Sequence, residues 1–493
     1  MRRLAAAIAM TTTLTLVAGC TTSAGENGEE GQSPLPMDSS EVLADADTVG
    51  RLFESADVVV VSGPAPAEQR RAAEIAVAAG APLLADAALY SAEVDRLGAT
   101  RIIAVGETGP LPEGPEIITA PAGENPEPVT VADIAALAPG ETAGLEGLGG
   151  VEPAEADYAM PPVLVTPETS VAAAATARAA GAELTVLDYP DPRLTSESMS
   201  LVTEQDVLAL GEQFGDQARF DRAVELAANG ELPGGGGLVF PGRRMIAFYG
   251  HPWGGDLGVM GEQPPAEAVA RVEEHIKNYQ ALEELPVVPA FEIIVTVASE
   301  FPGEDGKYTN VGDPAEFTGY IDAITEAGGY AFLDLQPGQA SFLEQAKVYE
   351  ELLARPNVGL ALDPEWNLQA GEQPLQRVGH AEAAEINEVA DWLAQLVRDN
   401  DLPQKGLIVH QFQMQMLRDR EQINTDHPEL AFILHADGHG VAEEKFATWD
   451  AVRQGLDEDW FMAWKNFIDE DKPTFTPEQT YGIEPRPWFV SYQ

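Results

Sequence analysis

Polar side chains follow four consecutive predicted strands in the C-terminal half of the sequence. They form the groups Asp334 and Gln336, Asp363 and Glu365, His410 with Gln411 and Gln413, and Asp437 with His439. Alternate residues of an extended chain point to the same side, and Pro364 favours an extended conformation at Asp363. His251, after an earlier strand, and Glu292, inside an apolar run, are further candidates. If the strands are parallel neighbours, these groups meet at one end of a sheet and shift each other's pKa values.

Carboxyl groups brought together in this way could hydrolyse a glycosidic bond, which requires a proton donor and a second carboxylate. We predict Glu365 as the proton donor, because repulsion from Asp363 would raise its pKa and keep it protonated. Asp334 or Asp437 would then act as the base or nucleophile. The residues predicted to contact the substrate are His251, Glu292, Gln336, Trp366, His410, Gln411, Gln413 and His439. The candidates for stacking on sugar rings are Trp366, Trp253 and Trp488.

Two other functions remain open for the same cluster. The residues of a type that binds zinc or manganese in hydrolases are His410, Asp437, His439 and Asp334. Barrels of that kind often carry a His-x-His motif after the first strand, and this sequence has none there. We therefore predict a site without a metal or other cofactor and keep a metal-dependent hydrolase as an alternative. The other alternative is a protein that binds a cell-wall glycan without cleaving it.

The region that must position these residues has the length and pattern of a (β/α)8 barrel. Pro233 and the four glycines after it mark a boundary, and residues 238–493 approach the roughly 250 typical of this fold. Apolar runs predict strands at 245–249, 291–297, 330–335, 358–362, 407–411, 430–435 and 488–492, with a less regular seventh strand near 460–464. Apolar stripes such as Phe317, Tyr320 and Ile324 predict helices between them. Active sites of such barrels lie at the carboxyl ends of the strands, where the polar groups stand.

This region resembles the barrel glycoside hydrolases in general, on its length and on Asp363, Pro364 and Glu365 after the fourth strand. The same Asp-x-Glu triplet is similar to that of lysozyme-like muramidases with a barrel fold. The resemblance implies that the partner of the protein is a cell-envelope polysaccharide or peptidoglycan.

An internal repeat divides the N-terminal half into two similar units. The segment AAGAPLLAD at 78–86 matches AAGAELTVLD at 179–188, and RIIAVGE at 101–107 matches DVLALGE at 206–212. Alternating strands and helices predict Rossmann-like parallel sheets within a domain at 45–232. Residues 78–86 and RLGATRIIAVGE at 96–107 resemble the cell wall-binding repeat type 2 of Gram-positive surface proteins. That resemblance implies non-covalent attachment to envelope polymers, while the pattern alone also allows a plain spacer.

The first 20 residues have the features of a signal peptide. Two arginines precede a short apolar segment at 4–17, and the small residues Ala18 and Gly19 precede Cys20. This arrangement resembles the lipobox of bacterial lipoproteins, which implies that Cys20 is lipidated and holds the protein on the extracytoplasmic face of the cell membrane. Residues 21–44, rich in Gly, Ser, Glu and Pro, are predicted to form a flexible tether.

The charge of the chain excludes one class of partner. Its 493 residues include 81 acidic and 28 basic ones, for a formal net charge of -53. So acidic a protein repels nucleic acid, and we predict no nucleic-acid partner. The single cysteine excludes an intrachain disulfide bond.

Overall fold

The computed structural model describes residue 37 and residues 39–154 and 160–493. Cys20, the signal peptide and most of the predicted tether lie outside the described residues. In the part that is described, no helix is both long enough and apolar enough to cross a membrane. The described part comprises the repeat region, apart from a short gap, and the whole predicted barrel.

Two small parallel sheets form the N-terminal half, as the repeat predicts. Their strands are β1 (Glu41–Leu43), β2 (Val58–Ser62), β3 (Leu83–Leu84), β4 (Arg101–Val105), β5 (Glu116–Ala120), β6 (Val163–Val165), β7 (Leu184–Val186) and β8 (Leu208–Leu210). Within the described residues, one sheet has the order β3-β2-β4-β5 and the other β7-β6-β8-β1, so both units have the same strand arrangement. The valines of β2 and β6 suit strands that are buried on both faces.

Strand β1 lies in the segment that the sequence predicts to be a tether. It pairs in parallel with β8, and Glu41 lies opposite Leu208. In the first sheet the strand at the equivalent edge is β5, which pairs with β4 and follows it along the chain. A strand is thus present before the predicted boundary at residue 45. A strand of three residues has too short a pattern to be recognised from the sequence.

The N-terminal half also contains helices, two of which are rich in alanine and join the two units. The helices are α1 (Thr48–Leu52), α2 (Pro66–Ala79), α3 (Tyr90–Leu97), α4 (Val131–Ala135), α5 (Val171–Ala179), α6 (Ser196–Glu204) and α7 (Gln217–Ala227). Helices α2 and α5 pack against each other, and Thr176 of α5 accepts a hydrogen bond from the backbone N–H of Leu83 at 3.1 Å. Because alanine side chains are small, the helices approach closely and the two units share one hydrophobic core.

The C-terminal half is a closed TIM-type barrel, which confirms the predicted α/β fold class. Its strands are β9 (Arg244–Gly250), β10 (Val287–Ala298), β11 (Thr309–Val311), β12 (Tyr330–Leu335), β13 (Val358–Leu362), β14 (Ala381–Glu382), β15 (Lys405–Gln411), β16 (Leu417–Arg418), β17 (Leu430–Ala436), β18 (Phe461–Asn466) and β19 (Phe489–Tyr492). Within residues 160–493, eight of these strands, all except β11, β14 and β16, run parallel around the barrel. Pairing of β19 with β9 closes it. Strand β18 is the seventh barrel strand, which the sequence places only approximately.

Amphipathic helices cover the outside of the barrel. They are α8 (Pro265–Gln280), α9 (Pro314–Glu326), α10 (Phe342–Val348), α11 (Glu350–Leu353), α12 (Ala383–Asp399), α13 (Ala442–Val452) and α14 (Pro477–Tyr481). In α9 the predicted stripe of Phe317, Tyr320 and Ile324 is buried in the core between helices and strands. This is the packing expected of a helix with one apolar face.

The lower interior of the barrel is apolar. One residue from each strand contributes to a layer there: Ala247, Ala290, Phe332, Ala361, Ile408, Ile433, Ala463 and Phe489. Side chains alternate between the two faces of a strand, so the residue two positions further along also faces the interior. In all eight strands the residue two positions after the apolar layer is polar or titratable. Together these eight residues form the candidate site.

The N-terminal half contacts the end of the barrel where the strands begin. The Arg222 guanidinium pairs with the carboxylate of Glu429, directly before β17, at 2.8 Å. Asn229 donates a hydrogen bond to the backbone oxygen of Leu402, shortly before β15, at 3.0 Å. The carboxyl ends of the strands therefore lie at the opposite end of the barrel from these contacts.

Candidate active site

Each barrel strand contributes one buried polar or titratable side chain to a ring at its carboxyl end. This polar ring consists of Tyr249, Glu292, Asp334, Asp363, His410, His435, Lys465 and Ser491. Each member lies two residues after a member of the apolar layer, so all eight point into the barrel. Burying so many ionisable groups is costly unless they are paired, and such groups cluster at functional sites.

His410 links two carboxylates across the mouth of the barrel. Its Nε2 lies 2.8 Å from Glu292 Oε1, and its Nδ1 lies 2.9 Å from Oδ2 of Asp437, the residue after β17. Burial alone would lower the pKa of His410, but the two carboxylates raise it well above its usual value. In turn, His435 and His410 lower the pKa of Glu292 despite burial, and His410 does the same for Asp437. Asp437 is thus held as a hydrogen-bonded carboxylate.

A second set of contacts surrounds Asp334, close to the Nε2 atom of His410. Tyr249 donates its hydroxyl hydrogen to Asp334 Oδ2 at 2.8 Å, and Asp334 Oδ1 lies 4.0 Å from His410 Nε2. Burial raises the pKa of Asp334 to about 6, although His410 opposes the shift. Lys465 Nζ lies 3.6 Å from the centre of the Tyr249 ring and places a positive charge beside these carboxyl groups.

A cleft of about 400 Å³ opens above the polar ring. Its polar and aromatic lining includes Tyr249, Gln336, Asp363, Glu365, Trp366, Phe412, Asp437, His439, Lys465 and Phe467. The volume falls within the range of about 300–1,000 Å³ typical of small-molecule sites. Glu365 and Asp437 therefore share one cleft at the carboxyl ends of the barrel strands.

Glu365 has an environment opposite to that of Asp437. Burial, and then the negative charge of Asp437, raise the pKa of Glu365 to about 7. The sequence predicts this raised pKa but attributes it to Asp363, whereas burial is its largest cause. Repulsion by Glu365 instead adds to the effect of burial in raising the pKa of Asp363 well above its usual value.

The chain turns directly after β13. Pro364–Trp366 forms a short 3-10 helix, and Asp363 Oδ1 accepts a hydrogen bond from the backbone N–H of Glu365 at 3.1 Å. The sequence predicts that Asp363 and Glu365 are alternate residues of one extended strand, and this prediction is wrong. The turn brings Glu365 into the cleft while Asp363 stays in the polar ring.

The predicted site residues fall into three groups. Those that line the cleft are Gln336, Asp363, Glu365, Trp366, Asp437 and His439. Those that are buried beneath it in the polar ring are Glu292, Asp334 and His410. In the described part of the chain, His251, Gln411 and Gln413 do not line the cleft.

The two glutamines of the third group make other contacts. Gln411 follows His410 directly, so its side chain points to the opposite face of the strand, where it accepts a hydrogen bond from Arg420 at 2.8 Å. Gln413 lies beyond the strand, is exposed, and accepts a hydrogen bond from Gln415. Neither has the position predicted for a substrate-binding residue.

Two of the predicted stacking tryptophans also lie away from the cleft. Trp253 packs on His251, whose pKa burial lowers to about 4. Trp488 lies at the other end of the barrel, where the Arg244 guanidinium stacks on its ring at 4.2 Å. Among the three candidates, Trp366 is the one that lines the cleft.

The site also contains residues that the sequence patterns do not single out. They are Tyr249, Phe412, His435, Lys465 and Phe467. The alternation of side chains identifies His435, which lies two residues before Asp437 and so faces the same way. Lys465 belongs to the strand whose pattern is least regular.

Three members of the polar ring have the geometry of metal ligands. One ligand atom from each of Glu292, His410 and His435 lies within 4.8 Å of the others. The metal-binding set predicted from the sequence includes His439. In the structure this residue lies at the edge of the cleft against Phe467 and outside the cluster. The cluster is therefore deeper in the barrel than the sequence predicts.

Comparisons with known proteins give no family for this chain. A scan against protein-family models finds no match, and a search of curated proteins finds no significantly similar sequence. The resemblances noted in the sequence therefore stay predictions. The fold and site define an α/β protein with a TIM-type barrel and a polar cleft at its mouth, an architecture shared by many enzymes.

Proposed function

We propose that the barrel hydrolyses glycosidic bonds in a carbohydrate of the bacterial envelope. The observation that carries this proposal is the placement of Glu365 and Asp437, two carboxyl groups in opposite environments, in one cleft. Glycoside hydrolysis requires a carboxylic acid to protonate the leaving oxygen and an ionised partner as base or nucleophile. Glu365 is the proton donor and Asp437 the ionised partner.

Asp437 suits the second role better than Asp334. It lines the cleft, and its Oδ1 is buried and accepts no hydrogen bond from any described residue. His410 is hydrogen-bonded to its other oxygen and favours the charged form. Asp334 lies beneath the cleft and is bonded to Tyr249.

The walls of the cleft are suited to a sugar. Trp366, Phe412 and Phe467 present apolar ring surfaces on which a sugar ring can pack. Gln336 and His439 offer hydrogen-bonding groups for its hydroxyls. A few polar groups among aromatic side chains are typical of sites that bind small molecules.

Turnover tests the proposal. The full-length protein is incubated with purified wall polysaccharides and peptidoglycan, and new reducing ends are measured. Formation of new reducing ends that depends on Glu365 supports hydrolysis. Binding of a glycan without release contradicts hydrolysis and favours the alternative of a glycan-binding protein.

Hydrolysis should decline as the pH rises through about 7. The charged and titratable groups that face Glu365 are Asp437, Asp363, Lys465 and His410. Because the raised pKa of about 7 keeps Glu365 protonated below that pH, the proton donor is present there and is lost above it. The pH profile of kcat/KM measures this descending limb. If the residual activity of Glu365→Gln declines at the same pH, the descending limb does not belong to Glu365.

We also propose that Cys20 anchors the protein to the membrane and that the repeat region, a separate domain, acts as a spacer or wall-binding unit below the barrel. The contacts of the N-terminal half with the end of the barrel where the strands begin support this arrangement. They leave the cleft at the other end open to an envelope polymer.

Replacing Cys20 with Ser should release the protein from the membrane, because serine offers no thiolate to carry the lipid. Cell fractionation and immunoblotting measure its distribution between membrane and medium. Thr21→Ser is the matched control and should stay with the membrane. A Cys20→Ser protein that also stays there contradicts the lipid anchor.

A further inference from the structure

The deepest part of the barrel mouth holds ligand atoms that the proposed hydrolysis does not use. One atom each from Glu292, His410 and His435 lies within 4.8 Å of the others. These side chains are fully buried and are not among the described residues that line the cleft. Asp334, equally buried, lies at the edge of this cluster, with its Oδ1 4.0 Å from His410 Nε2.

We infer that Glu292, His410 and His435 bind one divalent transition-metal ion, with Asp334 as an adjacent fourth ligand, and Zn²⁺ is the best fit. Two imidazole nitrogens and two carboxylate oxygens make a four-coordinate set of the kind that Zn²⁺ prefers. Glu292 Oε1 lies 2.8 Å from His410 Nε2 and 3.6 Å from His435 Nδ1. Atoms bound tetrahedrally at zinc distances lie roughly 3.4 Å apart. Glu292, His410 and His435 thus need only small side-chain shifts to bind the ion, and Asp334 must move closer to join them.

Beside the hydrogen bond between His410 Nε2 and Glu292 Oε1, three atoms of these side chains lack partners. His435 Nδ1, Glu292 Oε2 and Asp334 Oδ1 are buried and make no hydrogen bond with any described residue. A buried polar atom without a partner is costly, and native proteins contain few of them. Three in one cluster point to a ligand that all of them share.

The outward atoms of the same side chains are held by neighbouring residues. His410 Nδ1 is bonded to Asp437 at 2.9 Å, His435 Nε2 to Ser491 Oγ at 3.1 Å, and Asp334 Oδ2 to Tyr249 at 2.8 Å. Metal-binding histidines usually have their second nitrogen bonded in this way, which fixes the ring and directs the other nitrogen at the ion. The cluster therefore has both the ligands and the supporting shell of a metal site.

The ion is compatible with the proposed hydrolysis but separate from it. It would take the place of the proton that His410 Nε2 shares with Glu292, and it leaves the bond between His410 Nδ1 and Asp437 intact. Because its ligands lie beneath the cleft, the ion stabilises the polar ring and does not contact the sugar.

Metal analysis tests this inference on the full-length protein, made without a polyhistidine tag. The protein is stripped with a chelator and titrated with Zn²⁺, Mn²⁺ or Mg²⁺ alone, with calorimetry and elemental analysis after dialysis. We expect one tightly bound Zn²⁺ per chain, weaker Mn²⁺ and no retained Mg²⁺. A folded wild-type protein that retains no transition-metal ion overturns the inference.

Two variants locate the ion. Ser491→Ala removes the support of His435 and should lower Zn²⁺ affinity about 10–100-fold, while Glu292→Gln, which removes a ligand, should lower it further. His439→Gln, an exposed histidine outside the cluster, is the control and should bind as the wild type does. Circular dichroism establishes that each variant folds. Unchanged affinity in Ser491→Ala, or an equal loss in the control, overturns the assignment. Because bound metal is the readout, the result is independent of turnover.

Discussion

Replacing Glu365 with Gln should lower the hydrolytic rate about 10²–10⁴-fold, which is the contribution expected of a general acid. Glutamine keeps the size of the side chain but has no proton to give to the leaving oxygen. The fold should survive, because the hydrogen bond to Asp363 comes from the backbone N–H of this residue. Steady-state kinetics on the cleaved polysaccharide measures the effect, which should appear in kcat with little change in KM.

Glu300→Gln is the matched control for this experiment. Glu300 is an exposed glutamate shortly after β10, so it lies near the mouth of the barrel without being buried in it. It should keep wild-type activity. Activity retained by Glu365→Gln, or an equal loss in both variants, contradicts the role of Glu365.

Replacing Lys445 with Met should lower the free energy of unfolding by about 3–5 kcal/mol, the cost of breaking a buried ion pair. Lys445 Nζ lies 2.6 Å from Asp471 Oδ2, and the two side chains are only 1% and 0% exposed. Methionine fills similar space but leaves Asp471 as an uncompensated buried charge. Urea denaturation followed by circular dichroism measures the loss.

The same amine holds the ends of two barrel strands together. Lys445 Nζ donates to the backbone oxygens of Gly438 and Lys465 at 3.1 and 2.7 Å. Because Asp437 precedes one of these residues, we expect the folded fraction of the variant to hydrolyse more slowly as well. Lys472→Met, at an exposed lysine in the neighbouring loop, should change stability by less than about 0.5 kcal/mol. A Lys445→Met protein as stable as this control contradicts the prediction.

The barrel could be predicted from the sequence because its strands are short apolar runs with clear ends. The third and fourth strands, Tyr330–Leu335 and Val358–Leu362, have the predicted bounds. Polar residues follow both of them, and the carboxyl ends of parallel strands must meet at one end of a barrel. Local pattern and general topology were therefore sufficient for the fold and for the end that carries the site.

The direction in which an individual side chain points was harder to predict, because it depends on where each strand ends. At Gly250 the backbone has φ +153°, and an added Cβ would lie 2.9 Å from the Gly258 oxygen. The chain leaves the barrel wall here, so His251 turns away from the cleft. The environment of Glu365 likewise depends on Asp437, which follows a different strand, and no local pattern shows that proximity.

The structure of the Glu365→Gln protein with an oligosaccharide of the cleaved polymer tests the central claim most directly. We predict that the glycosidic oxygen lies within hydrogen-bond distance of the side chain at position 365. The carboxylate of Asp437 should face the anomeric carbon, or a water molecule beside it. A sugar bound outside this cleft, or one whose glycosidic oxygen is remote from position 365, would contradict the account.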